Sequence, residues 1–341
     1  MTIESHDNGG RRSVLIVHGR SFKPSEEYLA ELSLAALRAG VARDFPEIIE
    51  TYDQLPIEFA YYGDLTNRVL ADAGRRYDET LDVGDRRNAL GALREIQARK
   101  RFGIRQYDRL PGKSALPEFI ADVCMPMFAR VGLTVPMVSL VAKDFAIYLQ
   151  GRGSYADDVR ARVRDKVVES LARGDQLLLI THGTGAAVAW DVLWQLSHDE
   201  EHRYHVEDRK VDLWLTLGAP LGDGGIRKRL AGAKRTADER FPTNVISWCN
   251  VSAEDDYTCH DKTLADDFKR MMRDRIVSAV TDHKVYNHAI RYGRSNPHSS
   301  IGYYIHPRVS KVIADWIRHD ATAVTEPTPT PAQDAPDQDE G

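Results

Sequence analysis

The stretch Gly174-Asp-Gln-Leu-Leu-Leu-Ile-Thr-His-Gly-Thr-Gly-Ala-Ala-Val-Ala-Trp-Asp-Val-Leu-Trp194 leaves few folds open to this chain. Leu177 to Ile180 is an unbroken apolar run behind a Gly-Asp turn, the pattern of a strand buried on both faces of a parallel sheet. From Gly185 onward Ala186, Ala189, Val192, Leu193 and Leu196 recur at helical spacing, so the chain reverses within Thr181 to Gly185. A strand that passes through a turn of small residues into a helix holds one position exposed above the sheet edge.

The flanking sequence repeats the same alternation. Ser13 to Val17 is a buried strand ending in His18-Gly19-Arg20, and Pro24 opens a helix with Leu29, Leu32, Ala36 and Leu37 on one face. Ile57 to Tyr61 is a short strand. Tyr155 to Arg173 is a helix with Val159, Val163, Val167 and Leu171 every four residues, stopped by Gly174. Val211 to Leu217 and Asn244 to Cys249 are further strands, and Pro307 to Arg318 is a last helix. Strands and helices in this order predict an α/β fold with a mostly parallel sheet and right-handed crossovers.

The turn resembles the nucleophile elbow of the α/β-hydrolase superfamily, in particular its lipase and esterase-like branch, whose elbow reads small-His-Ser-x-Gly and continues into an Ala/Val-rich helix. Thr181 and Gly185 take the small positions, His182 precedes the nucleophile, and Gly183 stands where the serine belongs. Making Thr184 the nucleophile would put bulky His182 in a small slot, so Thr184 is the weaker alternative. The resemblance implies oxyanion donors among the backbone N–H groups of Gly19, Arg20 and Thr184, and the order nucleophile, acid, base along the chain. It assigns the acid to Asp256, in the loop after Asn244 to Cys249, with Asp255 the runner-up. The base falls on His298 in Asn296-Pro-His298-Ser-Ser-Ile-Gly-Tyr-Tyr304, with His283, His288 and His306 as neighbouring alternatives. Gly218-Ala219-Pro220-Leu221 corresponds to a Gly-Ser-Pro-like turn of such relatives.

Between Leu65 and Gln150 the alternation stops, and 65–150 is expected to be a helical cap inserted into an α/β-hydrolase core of 13–64 and 151–320, with Gly151 and Gly153 as the hinge back. Within it Arg86, Arg87, Arg94, Arg99, Lys100, Arg101, Arg105 and Arg109 read as a solvated helix face, with attraction of an anionic ligand as the alternative. The Met-rich apolar stretch Val123 to Leu149 reads as the packed core of the cap, or as a wall for an acyl chain or a membrane surface. Residues 1–12 are expected to be flexible, and 321–341, rich in proline and acid without Lys or Arg, disordered.

The chain has 341 residues, 46 basic against 51 acidic, and a net charge of -5, which gives nucleic acid no general hold. Three scattered cysteines and a start with neither a basic nor an apolar leader segment point to a cytoplasmic location. No apolar run reaches the roughly 18 residues of a membrane span. His198, His202 and His205 do not share one helix face, so neither a metal nor a cofactor is expected. The expected partner is a small acyl or ester-like molecule. The expected function is either hydrolase chemistry from a His298–Asp256 pair that lacks the serine, or a catalytically inactive pseudo-hydrolase that binds a ligand or, through the cap, a protein.

Overall fold

Both faces of one six-stranded parallel sheet are covered by helices, which is why its strands are apolar runs rather than alternating ones. The computed structural model describes residues 11–99, 103–112, 142–151, 153–206, 208–259 and 263–318. The strands are β1 (Arg12–Val17), β2 (Ile57–Ala60), β3 (Gln176–His182), β4 (Val211–Leu217), β5 (Val245–Ala253) and β6 (Ala279–Val285), in the order β2-β1-β3-β4-β5-β6. Val17 pairs with Thr181, His182 with Leu217 and Leu217 with Val251, so the carboxyl ends of β1, β3, β4 and β5 lie along one edge. The chain leaves β1 toward β2 on one side and β3 toward β4 on the other. The β1/β3 boundary is therefore a topological switch point, where such sheets open a crevice for a ligand.

The main helices are α1 (Glu26–Asp44), α2 (Gly63–Asp72), α3 (Glu79–Arg99), α4 (Lys143–Gln150), α5 (Tyr155–Ala172), α6 (Gly185–His198), α7 (Ser300–Tyr304) and α8 (Pro307–Ile317). Leu177 and Leu179 face α5 and α6 in one core, while Leu178 and Ile180 face α1 and α8 in the other. Each such leucine taken out of water contributes roughly 1.5–3 kcal/mol. On the α6 face Trp214 and Trp248 stack with centroids 4.6 Å apart, and their indole N–H groups donate to Thr181 and Thr216, both at 3.0 Å. Between β2 and β3 every described element is helical, as expected of the insertion.

The sequence reading missed β6 and ended β5 too early. Asp282, His283 and Lys284 break the apolar pattern of β6, which is an edge strand, and Asp282 accepts from Asn250 Nδ2 and from the amides of Leu264 and Ala265 at 2.8–2.9 Å. It also missed a two-stranded ribbon, β7 (Ile290–Arg291) and β8 (Arg294–Ser295), turned by Tyr292 and Gly293 at φ 51° and 72°. His198 ends α6, and a short helix follows at Glu200–Arg203. The segments 1–10, 113–141 and 319–341, and with them most of the Met-rich stretch and the acidic tail, lie outside the described residues. Among the described residues no helix is long and apolar enough to cross a membrane.

Candidate active site

Gly183 forms the corner between β3 and α6 at φ +55°, a left-handed conformation that glycine adopts without penalty. Its amide donates to the Leu217 carbonyl at 2.8 Å, pinning the corner to the end of β4. Two residues on, a Cβ at Gly185 would collide with the His18 carbonyl and stand 2.9 Å from that of Val17. Helix α6 can thus begin against the end of β1 only if that position carries no side chain.

His298 faces this corner. Its Nδ1–H donates to Asp256 Oδ2 at 2.9 Å, which leaves Nε2 as the acceptor on the far side of the ring. A Cβ built on Gly183 would lie 2.9 Å from both Nε2 and Cε1. The imidazole tip is therefore directed at the bare backbone of the elbow.

Asp256 is fully enclosed and is held by three donors. Besides His298, Tyr303 Oη donates to Oδ2 at 2.8 Å and the Thr258 amide to Oδ1 at 2.9 Å. Burial alone would raise this carboxyl; the neighbouring His298 and the three hydrogen bonds outweigh it and hold it down at about 2. Tyr303 Oη also accepts from the Ala253 amide at 2.8 Å, so the acid is tied to the end of β5. Gly218, at φ +58°, makes the space: a Cβ there would stand 2.7 Å from Asp256 Oδ2 and 2.9 Å from Tyr303 Oη.

Two further groups hold the base. His182 Nε2 donates to the His298 carbonyl at 2.9 Å, the two rings lying 4.6 Å apart; burial, then His298, keeps this imidazole far below its ordinary value and neutral. Asn287 Nδ2 donates to the carbonyls of Pro297 and Ser299, both at 2.9 Å, gripping the backbone on either side of His298.

The loop after β1 closes the other side. His18 Nε2 accepts from the Tyr62 amide at 3.1 Å and its Nδ1–H donates to the Gly19 carbonyl at 2.9 Å, while burial, then Lys23, push it down to about 3. Ser21, at φ +72°, donates its amide to Asp144 of α4 at 2.7 Å. The Lys23 ammonium turns back to the carbonyls of Arg20 and Ser21; burial, then Arg86, push it down to about 7. Gly19 and Arg20 line a cavity of about 540 Å³ that reaches His182 and His298 and continues to Tyr77, Asp82 and Arg86 on one wall and Arg291 and Tyr292 on another.

Gly183, His298 and Asp256 are thus brought together, and Gly19 and Arg20 border the cavity that His298 also lines. Thr184 behaves differently. Its amide donates to no other described residue and follows the corner directly, but its side chain is buried and is not among the groups lining the cavity. Asp255 adopts φ +58° and is partly exposed. His283 lies within β6, His288 stacks on Tyr107 at 6.0 Å, and His306 Nδ1 accepts from the Arg308 amide at the start of α8. The basic run divides: Arg87 reaches Glu31 and Arg94 the Ala35 carbonyl at the surface, whereas Arg86 is buried against the cavity. Tyr303, Asn287 and the role of Gly218 were not seen in the sequence. Only the glycine directly after an apolar strand carried a signal, that of a turn needing room. Among the described residues no cluster of His, Cys, Asp and Glu is disposed to hold a metal ion.

The mostly parallel sheet flanked by helices resembles the general α/β-hydrolase type. No protein-family model, no curated protein and no solved structure matches the chain.

Proposed function

We propose that the chain hydrolyses a small acyl or ester-type molecule by activating water, with glycine in place of the serine that an α/β-hydrolase would use. The observation that carries this reading is the His298 imidazole, which lines a cavity, is fixed by Asp256 and is aimed at Gly183. In the proposed step His298 Nε2 takes a proton from water while the oxygen adds to the carbonyl carbon. The ionised Asp256 stabilises the imidazolium, and the amides of Thr184 and of Gly19 or Arg20 receive the oxyanion. Collapse expels the alcohol, which takes the proton back from Nε2. Without a covalent intermediate, a rate on the order of 10³-fold over water is expected from base, donors and binding.

A second reading, a pocket that only binds, is favoured by the closeness of the ring to Gly183, which leaves little room between Nε2 and the corner. On either reading 13–64 and 151–320 form the core, 65–150 caps the cavity, and the partner is a small molecule met in the cytoplasm. Turnover of p-nitrophenyl esters by the native chain and by His298→Ala separates the two readings. Hydrolysis lost in the variant supports the enzyme, and equal rates at the buffer level overturn it. Gly183→Ser labelled by a fluorophosphonate, with no label on the native chain, would support the assignment of Gly183 to the nucleophile position; an unlabelled but folded variant would argue against it.

A further inference from the structure

Arg86 is the group in the cavity that this chemistry does not use. It is 9% exposed, yet its guanidinium is engaged at one nitrogen: Nε donates to Asp82 Oδ2 at 2.8 Å, and among the described residues Nη1 and Nη2 have no hydrogen-bonding partner. Its carboxylate neighbour does not neutralise it alone. Asp82 Oδ1 also receives Arg291 Nη2 at 2.6 Å and Tyr292 Oη at 3.0 Å, and Oδ2 receives Tyr77 Oη at 3.0 Å. Arg291 is in turn paired with Asp85. The cavity is lined by four arginines, Arg20, Arg76, Arg86 and Arg291, and by Lys23, pushed down to about 7, against two carboxylates, Asp78 and Asp82. A guanidinium that lines the cavity with two nitrogens uncommitted, beside other cationic groups, is suited to hold an oxyanion in a fork.

We infer that the molecule bound here carries an oxyanionic group, a carboxylate or a phosphate, seated on Arg86, in addition to the carbonyl presented to His298. This rests on the reading of the cavity as the ligand site, but not on hydrolysis taking place there. Arg76, exposed at the mouth and without a described partner, adds to the attraction on entry. Arg76, Asp78, Asp82, Arg86 and Arg291 put charged groups at this end of the cavity, so a long neutral acyl chain is the wrong ligand for it.

Titration calorimetry on the full chain with glutaramate and with glutaramide tests the proposal, since the two probes share a carbonyl and differ in one charged group. Glutaramate is expected to bind about 10-fold or more tightly, the advantage shrinking as salt is raised and vanishing in Arg86→Gln. Arg76→Ala, a surface change that leaves folding intact, should lower the advantage without abolishing it, which keeps the test open if Arg86→Gln does not fold. Inorganic phosphate that displaces glutaramate identifies a phosphate-type group, and glutaramate binding unaffected by phosphate identifies a carboxylate; both support the site. Equal binding of the two probes, or a preference that persists in folded Arg86→Gln, overturns it. Preference without any ester turnover would sink the hydrolase reading alone, and turnover of neutral esters without preference would sink this one alone.

Discussion

Tyr303 lends one hydroxyl to two partners, donating to Asp256 and accepting from the Ala253 amide, and neither has water as a substitute because all three are buried. Tyr303→Phe is expected to cost about 1–3 kcal/mol in denaturant unfolding, the penalty for a buried amide left without its acceptor. It should also weaken the hold on Asp256 and thereby slow whatever His298 does. Gly218→Ala is the sharper change, since the added methyl meets the carboxylate oxygen itself at a backbone angle that alanine disfavours. We expect a folded, destabilised protein in which the imidazole NMR signal of His298 shifts because Nδ1 has lost its acceptor. An unchanged signal would mean that the loop absorbs the methyl and that Gly218 is not what admits the acid.

The helix α3 reaches the base through ion pairs, not through apolar contact alone. Asp82 and Asp85 on α3 bind Arg291 of the β7–β8 ribbon, and the chain runs from that ribbon directly to His298. Asp82→Ala leaves Arg86 and Arg291 buried with a shared partner removed, and a loss of about 3–5 kcal/mol is expected; limited proteolysis should then cut first in α3 or the ribbon. None of this was visible in the sequence, where Asp82, Arg86 and Arg291 look like ordinary surface charges 4 and more residues apart. What was legible followed from periodicity and small residues: the apolar runs of β1, β3 and β4, the helices α1, α5 and α6, and the corner at Gly183. Order along the chain then led to Asp256 and His298. Polar edge elements were lost because β6 and the ribbon owe their place to hydrogen bonds across the fold, and a pattern search along one chain does not contain those partners.

The molecule as a whole buries neutral histidines. Burial first, aided by nearby cations or by a second imidazole, pushes His18 and His306 to about 3 and His182 far below its ordinary value. For each, the unfolded chain binds a proton near pH 6.5 and the folded chain does not. Stability is therefore fully present above pH 6.5 and is lost as pH falls below it, by roughly 1.4 kcal/mol per pH unit per histidine and about 4 for the three together. Asp256, held at about 2, adds a loss of the same sign in the lower window from pH 4 to 2. Thermal melts from pH 7.5 to 4 should fall steeply, with about three protons taken up on unfolding at pH 5 by these rings and a further one by His283, which burial pushes down to about 4. A Tm flat across that range would show that these rings are charged in the folded state.

The left-handed angle at residue 183 has one more outcome. A serine there would be wound against its own preference, at a cost of about 1–2 kcal/mol, and would have to push the imidazole tip aside. The present chain is relaxed at the very spot where a serine nucleophile would be under tension, so Gly183→Ser should melt at a lower temperature even as it gains a hydroxyl able to attack. If that variant is as robust as its parent, the corner was never strained, and durability would not explain why a hydrogen suffices there.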